Sequence, residues 1–195
     1  MAGSMTDVTP APVHPRLVVI ADEGRADGLD LIAPETGAWL HALAVSNGVR
    51  RVLEIGTAIG YSTLWLATAL PRDGMIITME ADPALAGRAR AHLAAAGYRD
   101  RISVVVGDAT RFLHKVAGPF DLIFQDSAPA LYGSMHDRLV ALLGANGVLV
   151  TDNIVASSDH DPVVTFGHRL AADPRLHTSF LPVGSGVAVS VRRAS

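Results

Sequence analysis

The stretch Leu53-Glu54-Ile55-Gly56-Thr57-Ala58-Ile59-Gly60-Tyr61-Ser62 decides the fold. A short apolar run over 52–56 ends in a glycine-bearing turn and passes into a helical pattern over 62–70, which reads as strand, turn and helix. The same alternation continues along the chain. Strands are expected at 75–80, 102–106, 121–126 and 147–152, and helices at 83–96, 110–116, 132–143 and 162–172. Short β-branched runs separated by longer, alanine-rich amphipathic segments are the rhythm of a parallel sheet covered by helices. Pro83 suits the first turn of its helix, where its missing N–H is no loss. The tail departs from this rhythm: only Val183-Gly184-Ser185-Gly186 separates strand-like runs at 176–182 and 187–192. That is too short for a crossover helix, so the two form an antiparallel hairpin and bring the strand count to seven.

Upstream, 34–47 places Trp39, Leu40, Leu43 and Ala44 at helical spacing before the stop signal Asn47-Gly48. Leu17 to Ile20 is a short apolar run. The three prolines of 6–15 and their lack of periodicity imply a mobile leader, and the expected division is a flexible leader at 1–16 and one domain over 17–195. Met1-Ala2-Gly3-Ser4-Met5 is consistent with a natural start at Met5.

The chain has 195 residues, 49% hydrophobic and 18% charged, which is enough for a sizeable core and argues against disorder. Sixteen Lys and Arg against nineteen Asp and Glu give a formal charge of −3, without the footprint of a polyphosphate binder. The absence of cysteine excludes a disulfide framework, a thiolate zinc site and a cysteine nucleophile. No apolar stretch has transmembrane length and the start lacks the order of a signal peptide, so a cytoplasmic location is expected and no membrane partner.

In a doubly wound sheet the first strand–helix turn lines the ligand crevice. A nicotinamide-dinucleotide fingerprint requires Gly-x-Gly-x-x-Gly there, and position 58 is alanine, which disfavours an oxidoreductase. The turn instead carries an acid, one residue, a glycine, three residues and a glycine. This pattern resembles motif I of S-adenosylmethionine (SAM)-dependent methyltransferases, whose turn accommodates a methionine moiety and leaves a carboxylate near its ammonium. A glycine turn that merely lets a helix pack on a strand is the plainer alternative. Glu80, at the tip of the second strand, stands where paired hydrogen bonds hold the ribose hydroxyls of an adenosine ligand. Asp108 or the backbone at Ala109, after the third strand, can read the adenine edge, although Asp108 also fits a simple helix cap.

The stretch 53–153 resembles the cation-dependent O-methyltransferases, the group of catechol and caffeoyl-CoA methyltransferases. The likeness rests on 53–57 with Gly60-Tyr61-Ser62, on Glu80, on Phe120-Asp121-Leu122-Ile123-Phe124-Gln125-Asp126 and on Gly147-Val148-Leu149-Val150-Thr151-Asp152-Asn153; 32–40 extends it. The resemblance implies an α/β fold with a Rossmann-like seven-stranded, mostly parallel sheet, helices on both faces and the C-terminal antiparallel hairpin. It implies SAM contacts at Ile32, Glu54, Gly56, Thr57, Gly60, Ser62, Glu80, Asp108 and Ala109. Asp126, Asp152 and Asn153 fall on the ligands of a divalent cation such as Mg2+, a hard ion suited to carboxylate and amide oxygens, and Asp126 thereby becomes the catalytic residue. A polar turn is the alternative for Asp152-Asn153. The implied activity is methyl transfer from SAM to a hydroxyl of a small aromatic acceptor, acidified by the cation, with Ser157 of the 154–161 loop as substrate contact; a solvated connection is the alternative for 157–161. Relatives dimerise, so a homodimer is expected.

The sequence departs from the family at one loop. Pro129 stands where active relatives carry a lysine base, and Ala128 where many carry a second aspartate. Three explanations follow: the cation suffices, which is the favoured one; His136 or His160 replaces the lysine, although each histidine also reads as a surface residue; or the acceptor is not a catechol. Methylation of a wobble hydroxyuridine in tRNA, and SAM binding with little catalysis, are the alternatives. Tyr132 and Trp39 offer aromatic faces to a flat acceptor or pack in the core.

Overall fold

In the computed structural model, which describes residues 12–155 and 162–194, the strand order is β3-β2-β1-β4-β5-β7-β6. Strands β1 (Arg51–Ile55), β2 (Met75–Glu80), β3 (Ile102–Val106), β4 (Phe120–Gln125) and β5 (Leu143–Thr151) run parallel. The hairpin of β6 (Leu176–Leu181) and β7 (Val187–Arg192) joins antiparallel, with β7 against β5. The order reverses between β1 and β4, and such a switch point opens a crevice beyond the carboxyl ends of the strands.

The period-two alternation of the strands divides the core into two layers. Val52, Leu122, Phe124, Val148 and Val150 face α1 (Arg16–Ala26), α2 (Pro34–Ser46), α3 (Tyr61–Ala69) and α4 (Pro83–Ala95), where Ile20, Leu40, Trp65 and Leu93 are buried. Leu53, Ile55, Ile123 and Leu149 face the other way, onto α6 (Tyr132–Leu142) and α7 (Pro162–Ala172) through Met135, Leu139, Phe166 and Leu170. β1 and β4 are buried almost throughout, as central parallel strands covered on both faces must be. At α4, Asp82 accepts hydrogen bonds from the N–H groups of Ala84 (2.7 Å) and Leu85 (3.3 Å), with Pro83 at the first helical position.

Three elements differ from the sequence reading. Leu17 to Ile20 belongs to an eleven-residue helix, α1, which buries only Leu17, Ile20 and Gly24 and leaves Val18 and Val19 exposed, so its apolar stripe is too narrow to stand out. The helix expected over 110–116 is a four-residue α5 (Ala109–Phe112) followed by a 3-10 turn, because Leu113 alone is buried there. β5 begins at Leu143, four residues early, through a register irregularity against Phe120 and Leu122. Most of the leader lies outside the described residues.

Candidate active site

The carboxyl ends of β1 to β4 enclose a cavity of about 790 Å³. Its floor is made by the first turn. Gly56 has φ +97°, and a Cβ there would lie 1.7 Å from the Asp126 carbonyl oxygen, so only glycine lets the β1 and β4 tips meet. The Asp126 N–H donates to Ile55 O at 2.8 Å, completing that junction. Ala58 is held at φ +46°, an uncommon region for a side chain, and its N–H donates to Glu80 Oε2 at 2.8 Å. Glu80 Oε1 accepts from the Asp82 N–H at 2.9 Å. Each Glu80 oxygen keeps a free lone pair, and the residue lines the cavity.

Of the residues expected to contact a nucleoside, Ile32, Gly56, Thr57, Ser62, Glu80, Asp108 and Ala109 line this cavity. Glu54 and Gly60 do not. Glu54 is fully buried behind the turn, where its carboxylate accepts from Ser62 Oγ (2.7 Å), Thr63 Oγ1 (2.5 Å) and Thr78 Oγ1 (2.6 Å). Glu54 orients Ser62, which lines the cavity. Burial raises its pKa, against the lowering effect of the three hydroxyls. Asp108 caps α5 through the Thr110 N–H (2.9 Å) and hydroxyl (2.7 Å), and these bonds lower its pKa.

At the other end stand Asp126, Asp152 and Asn153. Asn153 has φ +55° and its Nδ2 donates to Asp126 Oδ1 at 3.0 Å, while its N–H donates to Asp152 Oδ1 at 2.8 Å. Asp126 and Asn153 line the cavity; Asp152 is buried just behind them. Burial, then the charges of Asp152, Glu54 and Asp30, push the Asp126 carboxyl up to about 8, and burial also raises Asp152. No Lys, Arg or His lines the cavity among the described residues. Clustered carboxylates without a countercharge, next to an amide that offers an oxygen, form a donor set that fits a hard divalent cation.

The departing loop is also in the wall. Pro129 opens a 3-10 turn, Pro129–Leu131, and lines the cavity with Ala128. His136 is not a replacement base at this site: it is fully buried away from the cavity, with Nε2 at 2.7 Å from Asp173 Oδ2, and burial lowers its pKa. Ser157 and His160 lie outside the described residues. Tyr132 packs in the core against Phe166, its hydroxyl donating to Asp152 O at 3.1 Å, so it braces the acidic loop instead of facing an acceptor. Trp39 packs against the α1–α4 core. Sequence reasoning missed Asp30, an exposed carboxylate on the rim, and the apolar wall of Leu131, Met135, Val155 and Val163. None of these sits in a recognisable motif; the position of Asp30 two residues before Ile32 was the one available signal.

A sequence model of the O-methyltransferase family matches residues 26–193. The chain belongs to the O-methyltransferase family. A catechol O-methyltransferase of Mycobacterium tuberculosis is 39% identical over 125 residues, covering 64% of this chain and 57% of the relative. The chain thus spans less than two thirds of that relative's length. A caffeoyl-CoA O-methyltransferase of Eucalyptus globulus is 31% identical, covering 81% of this chain and 73% of that one. Among solved structures, the O-methyltransferase TomG of Streptomyces achromogenes, in complex with SAM, superposes with a TM-score of 0.85 at 29% identity, covering 97% of this chain and 93% of that one. The fold and the family are those of the class I, SAM-dependent O-methyltransferases. No helix among the described residues is long and apolar enough to cross a membrane.

Proposed function

We propose that this O-methyltransferase moves the methyl group of SAM to a hydroxyl of a small aromatic diol, assisted by a divalent cation at Asp126, Asp152 and Asn153. The observation that carries the reading is the two-ended cavity, with a half-buried carboxylate at the β2 tip and an uncompensated carboxylate cluster at the β4 and β5 tips. Glu80 accepts hydrogen bonds from the ribose hydroxyls, Ser62 and the 55–58 turn surround the methionine moiety, and Asp108 and Ala109 border the adenine. SAM supplies a sulfonium methyl when bound, and the cation supplies the positive charge that makes a nearby diol hydroxyl more acidic. Asn153 holds Asp126 through its amide and is itself held by Asp152 through its backbone N–H, and the wall of Pro129, Leu131 and Met135 orients a flat ring and excludes water. Pro129 cannot exchange a proton, and no amine of the described wall replaces the missing lysine. Activation would accordingly fall to a cation held by Asp126, Asp152 and Asn153, in preference to a side-chain base.

Among the described residues the wall carries acids and no Lys, Arg or His, which favours a small acceptor over tRNA, whose phosphates need cationic partners. Contact of Ser157 with the acceptor, a homodimer, a single catalytic domain and a cytoplasmic location complete the proposal. Light scattering tests the dimer. The activity is tested by transfer of labelled methyl from SAM to catechol. Turnover requires added Mg2+ or Mn2+ and falls to background in Asp126→Ala; chelator-resistant turnover contradicts the role of the cation.

A further inference from the structure

The cavity wall has a one-sided charge. Asp30, Glu80, Asp108 and Asp126 all line it, and no Lys, Arg or His does among the described residues. Asp108 is within 3.8 Å of Arg111, and Glu80 is occupied by two backbone N–H groups. The Asp126 and Asp152 pair would be balanced by a divalent cation held there. Asp30 is left exposed, with no salt-bridge partner among the described residues, at the end of the cavity where its charge reaches Asp126 and Asp152. Besides Ser127 and Asn153, the wall is apolar through Pro129, Leu131, Met135, Val155 and Val163. An acceptor carrying a carboxylate, a phosphate or a coenzyme A thioester would place its anion beside Asp30 with no guanidinium or ammonium among the described lining residues to receive it. Like charges brought together repel, which makes charge a means of rejecting the wrong partner.

We propose that this cavity selects its acceptor by charge, taking aromatic diols that are neutral or bear an ammonium group and rejecting anionic ones, with Asp30 as the specificity-determining residue. The inference rests on the aromatic-diol reading above and adds to it which members of that class are used.

The test is calorimetric binding to the full chain loaded with S-adenosylhomocysteine and Mg2+, using dopamine, 4-ethylcatechol and 3,4-dihydroxyphenylacetate, which share one diol and differ in charge. Dopamine and 4-ethylcatechol bind, and the carboxylate binds at least about tenfold more weakly than dopamine. In Asp30→Lys the dopamine-to-carboxylate ratio falls by about tenfold or more, and in Asp30→Asn it takes an intermediate value. Circular dichroism of both variants confirms that they fold. Equal binding of the anion and the cation by the wild type overturns the proposal, as does a ratio unmoved in both variants or a loaded protein that binds none of the three diols. Failure to bind S-adenosylhomocysteine at all identifies a different fault, in the methyltransferase reading itself, and takes the charge selection down with it.

Discussion

Gly56→Ala should be the most damaging small substitution at the strand tips. The added methyl would sit 1.7 Å from the Asp126 carbonyl oxygen and 2.7 Å from its carbonyl carbon, and the obstacle is backbone, which cannot rotate aside. A side chain at left-handed φ costs about 1–2 kcal/mol. Displacing a packed neighbour costs about 1–3 kcal/mol more. The sum of roughly 2–5 kcal/mol lowers the melting temperature by about 4–20 °C, at about 2–4 °C per kcal/mol for a chain of this size. The displacement also moves Asp126, so affinity for the proposed cation is expected to fall together with stability. Gly87→Ala provides the control: Gly87 lies inside α4, and a Cβ added there would meet nothing within 4 Å. That substitution is expected to stabilise the protein by about 0.5–1 kcal/mol. Thermal melts and urea titrations of both variants measure the contrast. A Gly56→Ala protein melting within about 1 °C of the wild type would refute the close-approach argument.

Other predictions follow from the same contacts. Glu54→Gln replaces an acceptor oxygen with a donor against Ser62, Thr63 and Thr78, leaving one hydroxyl badly paired; urea titration is expected to register a loss of about 1–3 kcal/mol, and SAM binding to weaken as Ser62 is reoriented. Ala58→Gly removes a side chain from φ +46° and is expected to stabilise by up to about 1 kcal/mol in the same measurement. Asp126 predicts a pH dependence. Its folded pKa, about 8, lies above its unfolded value, so the folded chain binds this proton more tightly, and without cation the stability falls as pH rises from the unfolded value toward 8. In chelator, the melting temperature of the wild type should decline across that window more steeply than that of Asp126→Asn; identical profiles would contradict the assignment.

How far the sequence could be read depended on how local the governing interactions were. The central strands and the glycine turn were legible because their burial on both faces imposes continuous apolar runs, and Gly56 marks a backbone contact that no other residue permits. The hairpin was legible because four residues cannot span a crossover. α1 was not, since its stripe of Leu17, Ile20 and Gly24 is interrupted by exposed valines and is fixed by distant partners: Arg88 of α4 bonds to Glu23 and Asp27. At the site, residue types placed both acidic clusters at strand ends but not their depth. Glu54 and Asp152 carry the same letters as a solvent-facing acid, and only tertiary packing sets one behind Ser62 and the other behind Asn153. His136 likewise became a buried partner of Asp173 through α7 and the chain after it, over a separation of 37 residues. Asp30 had no motif to announce it.

The most direct measurement of the central claim is calorimetric titration of the wild type and of Glu80→Ala with S-adenosylhomocysteine. The wild type is expected to give a single-site isotherm, and the variant, having lost charge-assisted bonds to the ribose, to bind at least about tenfold more weakly. No heat with the wild type, or equal affinity in the two proteins, would contradict the placement of the nucleoside at the β2 tip.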